Sequence, residues 1–414
     1  MTKFKTKHKA FALTKMRAAA LIIAALLTPA LLFTGCKQSA GGSGSGIGGT
    51  VHEAPFVEGG ASLILSPDKL DITVKVTTSD NSPITVEGCD KTELTSGMAT
   101  ILKAKSTGVV LKGKIIKLQI GDRNTSISNK LTALNVQGLN ALQNLICYNN
   151  QLTELNVQGL NALESLDCAY NQLTELNVQG LTALQVLHCS GNQLSEFNVQ
   201  GLTALEQLYC GGNQLTELNV QGLTALQYLE CRNNQLTALN VQGLTALKEL
   251  YCSSNQLTEL NVQGLSALQR LDCNWNQLTA LNVQGCTALQ SLNCGFNKLT
   301  SLNVQGLSAL QRLWCWSNQL TALNVQGLSA LQELYCHGNR LTADAFKKLF
   351  DDLPVRTDSD EAKCWLYTEQ TGVTEGNHTD FTAPADLAAA FNNAKTVKKW
   401  KMYKTAGGTS WVEL

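Results

Sequence analysis

The sequence predicts a solenoid of ten 21-residue coils whose short strands stack into one parallel β-sheet, with a small β-rich cap at the N-terminal end and an α/β cap at the C-terminal end. Three observations carry that reading. Ten cysteines recur at a spacing of 21, from Cys147 to Cys336, and an asparagine follows each by three residues, from Asn150 to Asn339. Between these marks the frame LxxLxCxxNQLTxLNVQGxxA is nearly constant. A short fixed period of this kind marks units that pack only on their neighbours.

The chain before the repeats reads in three parts. Residues 1–35 look like a secretion signal, with Lys3, Lys5, Lys7, Lys9, Lys15 and Arg17 ahead of the apolar run AAALIIAALLTPALLF. That run is short for a bilayer span. Its end, LFTGC, resembles the lipobox of bacterial lipoproteins, with Phe33 in place of the more usual Leu. The resemblance implies that Cys36 is lipidated and becomes the mature N-terminus, so that the chain is anchored to a membrane. Residues 36–50, rich in Gly and Ser, read as a tether that would hold the folded part about 20 Å from the lipid. From 51 to 141, LDITVKV, PITVEG and GVVLKG alternate as short strands, running into a degenerate first repeat at KIIKLQIG and a leading half copy at 131–141. A stack exposes a raw apolar end, which this β-rich segment would cover.

Charge narrows the partners. The chain carries 32 Lys plus Arg against 32 Asp plus Glu; removing the six cations of the signal leaves 26 against 32, a net charge of −6. No basic stripe follows, so nucleic acid is not an expected partner.

Within the repeats, 142–341, one copy such as 142–162 points Leu145, Cys147, Leu152, Leu155 and Val157 inward. About six buried apolar side chains cannot order 21 residues alone, so stability must come from stacking. At ~4.8 Å per strand, ten copies run about 45 Å. The asparagines are expected to turn inward, because an amide both donates and accepts toward backbone groups that face the stack. The glycines from Gly138 to Gly327 are expected in tight turns with positive φ. The cysteines are expected to be buried, reduced thiols: strands in register at ~4.8 Å suit a disulfide poorly, and no metal-type spacing appears.

The LxxLxCxxNxL frame resembles the leucine-rich repeat, with Cys in a slot usually filled by Leu, and LTxLNV echoes it as in the 21-residue class. Joined to a lipobox, it resembles the leucine-rich-repeat surface proteins and adhesins of double-membraned bacteria. That likeness implies outer-membrane attachment at the cell surface and adhesion to host matrix, host cells or other bacteria. Lys37, after the lipidated residue, leans toward the outer membrane. The alternative is a periplasmic structural or assembly scaffold.

The copies differ mainly on the strand. One outward column reads Ile146, Asp167, His188, Tyr209, Glu230, Tyr251, Asp272, Asn293, Trp314, Tyr335. Tyr228, Glu249, Arg270, Arg312 and Glu333 flank it on one side, and Tyr148, Arg232, Trp316 and His337 on the other. The expected ligand-binding residues are Tyr209, Glu230, Tyr251, Arg270, Asp272, Asn293, Arg312, Trp314, Trp316 and Tyr335, since Tyr, Trp and Arg dominate interface hot spots. Tyr170, Trp275 and Phe296 come one place later and read either as part of this face or as turn packing. The expected ligand is a protein or cell-surface molecule.

Beyond the repeats, 342–414 read as a cap: Thr342 caps the helix ADAFKKLFDDL, Pro354 stops it, KCWLYTE is a strand, 384–394 a helix and KKWKMYK a final strand. Trp365 and Trp400 are expected to pack that cap without a ligand. No enzyme is expected. His188 beside Cys189 is no base and nucleophile pair, because neighbouring strand residues face opposite ways, and neither cofactor nor metal motif is present.

Overall fold

The computed structural model describes residues 53–121, 130–369, 375–406 and 411–414. The signal segment, Cys36 and the tether lie outside the described residues. Ten three-residue strands, β9 (Asn144–Ile146) through β18 (Glu333–Tyr335), pair in parallel at a step of 21, so that Leu145, Leu166 and Leu187 stand in one file. Leu145, Cys147, Leu152 and Val157 are fully buried, as are their counterparts along the stack.

The asparagine column fastens the turns. Each side-chain Oδ1 accepts the N–H of a leucine in the preceding turn, while Nδ2 donates to the cysteine carbonyls of both turns, Ile120 standing in for the earlier cysteine at Asn150. For Asn234 the contacts are Leu215 N at 3.0 Å, Cys210 O at 3.1 Å and Cys231 O at 3.0 Å. All ten asparagines are buried. Gln side chains make a second file on the outer surface, where Gln158 Nε2 reaches Asn177 O at 2.8 Å.

Among the described residues the cysteines are free and buried. Burial raises the pKa of the ladder thiols, to about 12 at Cys294. Nine glycines of the turn column, Gly159 to Gly327, take positive φ as expected. Gly138 does not. There a Cβ would stand 1.9 Å from Val57 O, so close backbone approach requires the glycine.

At the N-terminal end, β1 (Gly60–Leu65), β3 (Ile84–Glu87), β4 (Glu93–Leu94), β6 (Gly108–Lys112) and β8 (Leu131–Asn135) form an antiparallel sheet. A second layer, β2 (Asp71–Thr78), β5 (Ala99–Lys103) and β7 (Ile115–Ile120), extends the solenoid sheet itself. The degenerate repeat is β7, which pairs in parallel with β9 and puts Ile120 in the cysteine file. Leu63, Val74, Ile84 and Leu111 fill the cap core.

At the other end α1 (Ala343–Asp352) starts where Thr342 Oγ1 accepts Ala345 N at 3.2 Å and stops before Pro354. β19 (Lys363–Thr368) and β20 (Lys401–Thr405) continue the parallel sheet around α2 (Ala385–Thr396), and β21 (Trp411–Glu413), not foreseen from the sequence, ends it antiparallel. Asn377 completes the amide ladder: it accepts Leu341 N at 2.8 Å and donates to Cys336 O at 2.9 Å. Among the described residues no helix is long and apolar enough to cross a membrane.

Because Asn234 satisfies three backbone groups at once, Asn234→Ala leaves them buried without partners. Denaturant unfolding should show a loss of roughly 1 to 3 kcal/mol or more; an unchanged midpoint would contradict the role given to the ladder.

Candidate functional site

Three residues per strand make one face. The register aligns Tyr209, Glu230, Tyr251, Asp272, Asn293, Trp314 and Tyr335 in a single column, with Arg270 and Arg312 in the column beside it. Most of these side chains are half-buried rather than exposed, because stacking strands put each against its neighbour. Two depart further from the outward expectation. Asn293 is only 9% exposed and turns its Oδ1 to Gly295 N at 3.3 Å; Asp167, at 3%, turns its own to Ala169 N at 3.2 Å. A short polar side chain reaches its own backbone before it reaches solvent. Asn293 is therefore a turn-forming residue.

The middle of the face is a polar network. Glu230 accepts Arg232 N at 3.1 Å and pairs with Arg232 Nε at 3.0 Å, and the Arg232 guanidinium lies 4.9 Å over the Tyr251 ring. Tyr251 donates its hydroxyl to Glu249 at 2.6 Å, and Glu249 also takes Arg270 Nη1 at 2.9 Å. Asp272 accepts Asn274 N at 3.4 Å. Burial raises the pKa of both Glu230 and Asp272. Upstream, His188, Tyr209, Tyr228 and Tyr251 form a run of rings with centroids 4.9, 4.6 and 5.4 Å apart.

Size alternates across copies. A Cβ on Gly295 would meet the Trp316 indole at 2.5 Å, and one on Gly211 would meet the Glu230 carboxylate at 2.3 Å. A large side chain in one copy lies over a small residue of the copy before it.

The position before each ladder asparagine is left-handed in all ten copies, a rule the sequence did not reveal because Asn, Ser, Gly and aromatics share it. Tyr170 (φ 54°), Trp275 (φ 52°) and Phe296 (φ 51°) occupy it with bulky side chains, which that region disfavours. Tyr170 and Trp275 are 55% and 44% exposed. They are not packed into the turn. Trp275 stacks on Phe296 at 3.8 Å, Phe296 meets Trp316 at 4.4 Å, and Trp316 meets His337 at 5.2 Å, which makes an aromatic rail along the rim.

The cap adds to the face. Trp400 packs the cap as expected, donating Nε1 to Pro354 O at 2.8 Å. Trp365 is buried in the cap as well, at 5% exposed, and also continues the file of the central column: it is in register with Tyr335 and stacks on it at 3.9 Å. Period alone could not show this, since β19 follows a helix rather than a 21-residue step.

A groove of about 1350 Å³ runs along the LTxLNVQ side, lined by Glu154, Glu175, Glu196 and Glu217 among others. Its lining hardly varies from copy to copy, so it carries little information for recognition. Among the described residues no group of three or more His, Cys, Asp or Glu is placed to hold a metal ion.

His337 is 6% exposed and burial pushes its pKa from 6.5 down to about 4. The unfolded chain therefore takes the proton first, and the stabilisation from neutral His337 is whole above pH 6.5 and erodes as pH falls toward 4, by on the order of 3 kcal/mol. The stability gap between the wild type and His337→Gln, followed by denaturant unfolding across that window, should narrow as pH falls; a constant gap would count against a buried neutral imidazole.

A family model for leucine rich repeats in two copies matches residues 224–267. No curated protein matches the chain. Among solved structures, the Listeria monocytogenes internalin InlF is similar with a TM-score of 0.50 and 22% identity, over 71% of this chain and 87% of that one. The functional domain of InlJ from Listeria monocytogenes, described as including a cysteine ladder, gives 0.45 and 24% over 68% and 72%. YopM from Yersinia enterocolitica gives 0.42 and 27% over 49% of this chain and 43% of that chain. Register, ladder and repeat match agree: the chain folds as a leucine-rich-repeat solenoid.

Proposed function

We propose that this chain is a bacterial surface lipoprotein, anchored to the outer membrane through Cys36, that uses its strand face to bind a protein or cell-surface ligand and performs no catalysis. One observation carries the reading. The ladder frame is repeated almost without change, whereas the residues free to differ converge on a single face and its rim.

The aromatic rail supports it further. A bulky residue in the left-handed region carries backbone strain, and a turn there is easiest for glycine, as Gly191, Gly212 and Gly338 show in sister copies. Trp275, strained and exposed, serves something other than the turn. Trp316 on the same rail, Trp314 and Tyr335 in the central column and Arg312 in the column beyond it supply the residue types that anchor interfaces.

Two measurements test this. Protease added to intact cells should cleave the chain, and Cys36→Ser should move it out of the membrane fraction; a chain that stays uncut faces the periplasm, as the scaffold alternative requires. Trp275→Gly should relieve strain and keep thermal unfolding within a few degrees while weakening attachment to matrix or cells several-fold. Attachment that persists in Trp275→Gly and Trp314→Ala would remove this face from the account.

A further inference from the structure

We infer that the rim of the strand face between Tyr170 and Trp275 is a binding site for an uncharged oligosaccharide; this rests on the reading of the face as a recognition surface. The two residues hold the same left-handed position, five repeats apart, and both are exposed. At ~4.8 Å per turn they stand about 24 Å from each other. Each is buttressed from outside that interval: Tyr148, in the copy before, meets Tyr170 in a T-shaped contact at 5.5 Å, and Phe296, in the copy after, stacks on Trp275 at 3.8 Å. Between them the same position holds Gly191, Gly212, Asn233 and Ser254. Small side chains between two large ones leave a recess along the rim, bounded at each end by a ring.

Both rings address the recess. Phe296 covers the face of Trp275 that looks to the following copy, so the opposite face looks over Ser254. Tyr170 lies over Gly191, where a Cβ would stand 2.8 Å from its ring. The border of the recess is polar and uncharged on one side, where Gln193, Gln214, Gln235 and Gln256 are exposed, and the half-buried Arg232 stands on the other. Nearby charges are matched within the protein. Arg232 pairs with Glu230 at 3.0 Å and Arg270 with Glu249 at 2.9 Å, while Asp167 and Asp272 turn to backbone N–H groups two residues on, at 3.2 and 3.4 Å. The glutamates of the LTxLNVQ groove lie past the next buried leucine, and the first cation of the glutamine column, Lys298, comes only after Trp275.

A sugar ring has a face of C–H groups, which packs on the negative face of an aromatic ring, and an edge of hydroxyls, each able to donate and accept. Trp275 offers such a face, and glutamine amides, which also donate and accept, stand beside the recess at every turn. One sugar unit of an extended chain is close to one turn in length, so a chain of about five or six units runs from one ring to the other. A charged chain finds no unmatched partner there. A polypeptide anchored by apolar side chains finds no apolar floor between the two rings.

The test is isothermal titration calorimetry on the full chain in detergent, with maltohexaose, cellohexaose, mannohexaose and chitohexaose as uncharged probes and hexagalacturonate and protonated hexaglucosamine as charged ones. At least one uncharged hexamer should bind about tenfold or more tightly than both charged ones and than its own trimer. Trp275→Gly should weaken that hexamer by about tenfold, with Trp275→Phe keeping part of the affinity. Tyr170→Gly should remove the advantage of hexamer over trimer, because a trimer on Trp275 does not reach Tyr170. Glycine already holds this turn at Gly191 and Gly212, so thermal unfolding of these variants should stay within a few degrees of the wild type. Binding of no uncharged hexamer, tighter binding of a charged one, or indifference to Trp275→Gly would overturn the inference. Its failure is separable from that of the surface reading: attachment that needs Trp275 without saccharide binding sinks only the oligosaccharide, whereas saccharide binding through Trp275 by a chain that stays uncut on intact cells sinks only the surface location.

Discussion

At the core, each turn of the solenoid is fastened to the one before it by a buried asparagine carboxamide, and the rest of the architecture follows from that bond set. A turn that leaves the strand must carry backbone N–H and C=O groups past a core in which no water can reach them. The buried asparagine answers two carbonyls and one N–H simultaneously, in two successive turns. Because its reach is fixed, the turns must remain in register, and that register in turn brings leucines, cysteines and valines into continuous files. The cysteine suits this frame as a small apolar filler whose carbonyl takes part in the ladder.

Such a frame restricts where chemistry can vary. Inward positions are set by packing, the asparagine by the ladder and the turn glycines by positive φ, which leaves the strand face and the residue before each asparagine. Even there the freedom is conditional. The Trp316 indole lies so close over Gly295 that a Cβ there would meet it at 2.5 Å, so these neighbouring copies differ as a pair rather than one by one. The consequence is a face graded along its length, with an acid and arginine network in the middle and stacked aromatics toward the C-terminal cap.

Much of this was legible in the sequence, because a 21-residue period fixes strand, core and ladder together, and Thr342 and Pro354 mark the first cap helix in the usual way. What escaped did so for identifiable reasons. Asn377 completes the ladder from outside the period, after a helix and a strand, so spacing could not find it. Trp365 reads as core from its neighbours and is buried, but its place in file with Tyr335 comes only from strand pairing. Asn293 lies in the outward column, yet its side chain is short enough to bind Gly295 N instead of a ligand. Strands β1 and β5 of the N-terminal cap lack a repeat to echo, and β1 pairs with segments as distant as β8.

The amide ladder bears the stack equally along its length. Hydrogen exchange measured on the backbone amides of Leu152 through Leu320 at the 21-residue step, each accepted by a ladder asparagine, examines it most directly. These amides should exchange only with global unfolding, as slowly as those within the strands. Exchange at the rate of exposed turn amides, in the middle of the stack as well as at its ends, would contradict the account.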